Sequence, residues 1–201
     1  MYIHEGVFDY LRAARAVSPR SIDLELEEDV GCYGRNLYGY VILSTVGIAS
    51  KAKSIDRIRN GEEIRTPRFT PFNFVRLLAN KLSQKVQTMN GGLTIEETGA
   101  CLDETDSTKI AGALILGHEI GHSQRNQAIA YLMLIVGSYM TFKEGFIDSL
   151  VPGNQLLDLT SFIGGFAMCF GGLVLSEVLA DNFAKRHVEE LLPYIITDEY
   201  Q

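Results

Sequence analysis

The 201-residue chain is short of cysteine, of positive charge and of any export signal, and each shortage removes a class of protein. Its three cysteines, Cys32, Cys101 and Cys169, lie far apart, are odd in number and form no CxxC pair. Neither a disulfide framework nor a thiolate zinc site is expected, and the three should serve as small buried hydrophobes in a reducing compartment. The opening MYIHEGVFDYLRAARAV carries Glu5 and Asp9 where a signal peptide would have its apolar core, so no cleaved export signal is expected. Eighteen Lys and Arg against 25 Asp and Glu leave a net charge of -7. A binder of phosphate backbones needs clustered positive charge, so nucleic acid is excluded as an expected partner. With 46% apolar and 21% charged residues the chain is neither disordered nor a many-pass transporter, and its length suits one domain over 1–201.

Local patterns supply the elements. Val7, Leu11, Ala14 and Val17 recur at helical spacing until Ser18-Pro19 stops them, and Ile22, Leu24 and Leu26 alternate with Asp23, Glu25 and Glu27 as in a half-buried strand. The run Leu37 to Ala49 is uncharged, but as a helix it would cover only roughly 20 Å of a bilayer core of roughly 30 Å. A buried strand or a core helix is expected there. Thr70-Pro71 caps a further helix whose stripe is Phe74, Leu77, Leu78, Leu82 and Val86, closing near Asn90-Gly91-Gly92. Asp106 or Ser107 caps the next, KIAGALILGHEIGHSQRN. Beyond Arg125 charge is absent from 127 to 142 and from 159 to 176. Helices apolar on nearly every face must be buried in protein or in lipid. Pro152-Gly153 marks the turn between them. The expected fold class is mainly α (α+β), with a small strand element. Residues 1–90 supply N-terminal helices and a strand, 107–187 the metal-binding core, and 127–176 an apolar helical hairpin.

The chemistry centres on HEIGH. On a helix, His118 and His122 share a face, so both imidazoles can reach one ion, while Glu119, about 100° around the axis, can contact water beside it. A third ligand is needed, and Glu177 in SEVLADNFAKR offers a carboxylate that leaves a fourth position open, as in catalytic rather than structural zinc sites. Asp181, one turn later, can accept the second N–H of a ligand histidine and fix its tautomer. Ala180 is small enough to let the two helices approach closely. If both uncharged arms are helical, His122 to Phe142 covers roughly 30 Å and Thr160 to Glu177 roughly 26 Å, so an antiparallel hairpin returns Glu177 to the histidines. His187, about 15 Å beyond Glu177 on the same helix, has the place of a surface or capping residue, and His4 likewise has no place in the site.

At these residues the chain resembles the gluzincin metallopeptidases, whose pattern is HExxH followed by ExxAD. It is most similar to integral-membrane peptidases of the HtpX and CAAX-prenyl-protease type, which place hydrophobic helices between the two motifs. The resemblance covers roughly residues 107–187. It implies a zincin-like helical core, one Zn2+ per chain on His118, His122 and Glu177, and Glu119 as catalytic base in the hydrolysis of a polypeptide substrate. That family has an Asn-Ala strand ahead of the zinc helix, and the corresponding stretch here, GGLTIEETGACLDETD, has no such pair. FAKRHVEELLP is similar to a stretch of the soluble ImmA/IrrE-type peptidases, whose motifs lie closer together than the 54 residues between His122 and Glu177.

Location has two readings. Lys143 against Glu144, Asp148 and Asp158 makes the connecting segment acidic, while Arg125, Lys185 and Arg186 flank the outer ends. A hairpin inserted on that charge pattern would leave the zinc site facing the cytoplasm. The alternatives are a soluble cytoplasmic regulatory peptidase and a non-catalytic zinc-binding membrane or assembly protein.

Overall fold

The computed structural model describes residues 6–18, 21–28, 33–37, 39–62, 78, 81, 82, 84, 85, 93–102, 106–143 and 155–195. The protein is mainly helical with one small three-stranded sheet, the expected class. Most of the helix expected after Thr70-Pro71, the Pro152-Gly153 turn, His4 and Cys32 lie outside the described residues. By its contacts the chain forms two compact units, one of residues 1–68, 87–124 and 179–201, the other of 69–86 and 125–178.

The first unit opens with helix α1 (Gly6–Val17), whose stripe buries Tyr10, Ala13 and Ala14. Strands β1 (Asp23–Glu27), β2 (Gly34–Leu37) and β3 (Tyr40–Ser44) follow in spatial order β1-β3-β2, with β1 parallel and β2 antiparallel to β3. Gly39, at φ 101°, makes the turn from β2 into β3, a backbone conformation that a side chain would strain. The uncharged run at 37–49 is both of its expected alternatives in succession. From Tyr40 it is strand as far as Ser44, whose hydroxyl then accepts from the Gly47 N–H at 3.0 Å and caps helix α2 (Thr45–Arg59).

Where a strand might have preceded the HEIGH helix there is instead the short helix α3 (Ile95–Ala100). Thr94 and Glu97 close a reciprocal capping box on it, so local hydrogen bonding favours a helix start over an extended segment. Its Gly99 lies tight against Ile55, Ile110 and Leu114. Cys101, at the end of α3, is exposed rather than buried as expected, because the helix buries Ile95 and Gly99 and ends on its solvent side.

Helix α4 (Ser107–His122) starts under an Asp106 cap, as expected, and is the centre of this unit. Twelve of its 16 residues are buried, so its partly exposed positions, His118 and His122 among them, are few. Ile110, Leu114, Leu116 and Ile120 are fully enclosed with Leu43, Ile55 and Leu191. Helix α6 (Gln155–Leu191) contributes Ala184, Val188 and Leu191 to the same cluster.

In the second unit, helix α5 (Ala128–Phe142) pairs with the part of α6 up to Val178. The HEIGH helix does not run on into the apolar arm. It stops at His122, and a 3-10 turn at Arg125–Gln127 intervenes before α5. The two arms pack antiparallel through small residues. A Cβ on Gly137 would stand 2.6 Å from the Gly165 carbonyl, and one on Gly172 would stand 2.8 Å from the Ala130 carbonyl. Buried Gln127 donates to the Ser176 carbonyl at 3.0 Å at one end, and Cys169 lies beside Ser138 and the Leu134 carbonyl midway. Large apolar side chains point the other way. Ile129 is 65% exposed, Ile135 68%, Tyr139 65% and Phe166 61% among the described residues.

The core assignment is testable at Leu114, which α4 holds with no exposed surface. Leu114→Ala should cost about 2–5 kcal/mol, since the cavity left in a close-packed helix interface refills only in part. The urea unfolding midpoint, read by circular dichroism, measures the loss.

Candidate metal centre

Two helices of the first unit build most of this site. At Gly121 a Cβ would stand 2.7 Å from the Ala180 Cα, and at Gly117 one would stand 2.9 Å from the Ala184 Cα. Glycine facing alanine therefore lets α4 and α6 touch almost backbone to backbone. The expectation for Ala180 is met.

That closeness brings Asp181 to His118. The His118 Nδ1–H donates to Asp181 Oδ1 at 2.8 Å. A carboxylate only accepts, so the ring proton sits on Nδ1 and the lone pair of His118 on Nε2, the atom that meets His122 and that a metal could take. His122 turns its own Nε2 to the same point, 3.1 Å from that of His118, with the rings nearly perpendicular at 86°. Two nitrogens held by one tetrahedral ion at about 2.0–2.1 Å would stand roughly 3.3 Å apart, so little movement separates this arrangement from a liganded one.

His118, His122 and Glu177 form a group that could hold a metal ion, with one donor atom of each within 4.8 Å of the others. Glu177 lies one helical turn before Asp181 on α6, so the two carboxylates share a helix face. The donor chemistry fits the expected ion, since imidazole and carboxylate together suit zinc. His187 has the expected surface role. It is part-exposed, stacks on Phe183 at 4.3 Å between ring centres and contacts Glu190 at 3.1 Å.

Glu119 is only 6% exposed, and strand β2 lies against it. A Cβ on Gly34 would stand 2.8 Å from Glu119 Oε1. Two residues on, Asn36 Nδ2 donates to the Glu119 carbonyl at 2.5 Å and to Ser123 Oγ at 2.7 Å. Sequence reasoning passed over Gly34 and Asn36. They lie more than 80 residues before the histidines in a segment with no motif, and only the glycine and the turn-forming Asn-x-x-Gly spacing hint at them.

No family model, curated protein or solved structure matches the chain. The site therefore speaks through its own donors. Replacing Asp181 with Ala should weaken zinc binding by about 10–100-fold, the usual effect of removing such a partner. Glu177→Ala should weaken it further, since two imidazoles make a poor site. Titration against a competing chelator measures both, and unchanged affinity in Glu177→Ala would remove that residue from the ligand set.

Proposed function

We propose that the protein is a zinc-dependent metalloendopeptidase that hydrolyses peptide bonds with His118, His122 and Glu177 as ligands. The observation that carries this reading is the convergence of both Nε2 atoms at 3.1 Å, with Nδ1 of His118 already committed to Asp181. Three protein donors leave a coordination position for substrate chemistry, whereas a structural site would use four. Zinc, when bound, supplies Lewis acidity at the scissile carbonyl and lowers the pKa of water towards about 7. Glu119, beside the first histidine but outside the metal-competent group, takes the proton of the attacking water and passes it to the leaving amine.

The hairpin of α5 and α6 belongs to the same reading, as a membrane anchor. The segment Leu159–Tyr194 is a helix long and apolar enough to cross a membrane by length and composition. Gly137, Gly165 and Gly172 face inward and large apolar groups outward, the distribution that suits lipid rather than water as solvent. At 15 residues α5 covers roughly 22 Å, and local bilayer thinning accommodates the short arm. Acidic residues in the 143–158 connection and basic ones at Arg125, Lys185 and Arg186 set the metal centre on the cytoplasmic side.

Two measurements test these statements separately. Glu119→Gln keeps size and hydrogen-bonding reach but removes the basic carboxylate. Zinc content should stay at one per chain while cleavage of labelled casein falls by about 100-fold or more. Cleavage at the wild-type rate would end the assignment of Glu119 as base. For the anchor, the protein should stay with membranes through alkaline carbonate extraction, and a cysteine placed at 150 should be labelled from the non-cytoplasmic side. Recovery as a soluble protein without detergent would refute insertion and leave the peptidase reading intact.

A further inference from the structure

Strand β2 meets the HEIGH helix at Glu119 in two ways. Side chains two apart on a strand share a face, so Gly34 and Asn36 both address α4. Gly34 faces the side chain of Glu119, where a Cβ would stand 2.8 Å from Oε1 and 2.9 Å from Cγ. Asn36 faces the backbone of Glu119, donating to its carbonyl at 2.5 Å.

The carboxamide of Asn36 is fully used. Its second N–H donates to Ser123 Oγ at 2.7 Å, on the residue that ends α4, and its Oδ1 accepts from the Gly39 N–H at 3.1 Å in the β2–β3 turn. One side chain thus joins an edge strand, its turn and the last turn of the metal-binding helix. The chemistry requires Asn. Asp would keep the bond to Gly39 but set a carboxylate against a carbonyl oxygen, and Ala would make none of the three bonds.

We propose that β2 is a clasp on Glu119, with Asn36 and Gly34 as positioning residues that hold its carboxylate where proton transfer needs it. Asn36 fixes the main chain of Glu119, and Gly34 leaves room for its side chain to lie flat along the strand. The catalytic part of this inference rests on the peptidase reading, while the mechanical part does not. General-base catalysis depends on placing the base within hydrogen-bond reach of its proton, so a small displacement lowers turnover without changing metal or substrate affinity.

The test uses the full-length zinc-loaded protein in detergent, with Asn36→Asp, Asn36→Ala, Gly34→Ala and, as control, the exposed Arg57→Ala. For the Asn36 variants, amide hydrogen exchange in peptides covering 119–124 should speed up by about 10-fold, with no change elsewhere in α4. Arg57→Ala should exchange as wild type. With casein as substrate, kcat should fall about 10-fold or more in Asn36→Asp and Gly34→Ala, with KM within about 2-fold and zinc still at one per chain. Unchanged exchange at 119–124 in both Asn36 variants overturns the clasp, whatever the activity. Faster exchange with wild-type kcat overturns its catalytic part. Faster exchange in a protein that cleaves nothing leaves the clasp standing and removes the peptidase reading instead.

Discussion

The candidate metal centre depends on how closely α4 and the end of α6 approach. Gly117 and Gly121 meet Ala184 and Ala180 at separations that allow no further carbon on the glycines. Larger residues would part the helices and draw the Asp181 carboxylate away from its 2.8 Å contact with His118. Close packing of backbones, normally a matter of core density, here brings a carboxylate to the imidazole nitrogen whose tautomer it selects.

Much of this was legible because HEIGH and SEVLAD are written on helices, where spacing converts directly into direction. His118 and His122 at i and i+4, and Glu177 and Asp181 at i and i+4, point as the period of 3.6 requires. The cap at Asp106, the stop at Ser18 and the alternation in β1 are likewise local signals read without knowledge of the fold. The small residue at Ala180 was interpretable because only one neighbour could need the space.

What escaped the sequence is what depends on distant partners. The uncharged run 37–49 did not show where strand gives way to helix, because its strand part is fixed by pairing with β1 and β2 while the cap at Ser44 lies inside the same apolar stretch. The end of α4 at His122 was hidden inside a stretch that keeps its helical composition. Its boundary shows only as a short 3-10 turn and the bond from Asn36 to Ser123. Cys101 was misjudged because residue type predicts average burial, whereas a helix end decides it position by position.

The burial of α4 has a consequence for the balance between folding and metal supply. A helix with twelve of 16 residues in the core cannot loosen without opening that core, so donors mounted on it exist as a set only while the unit is folded. A metal that binds the folded chain alone stabilises it in proportion to RT ln(1 + [L]/Kd), about 4 kcal/mol when the free ion is at 1,000 times Kd. That is comparable to the margin by which small domains are stable at all. Were His118 and His122 to hold such an ion, the population of folded molecules would follow the free-metal concentration, and a chelator would lower it.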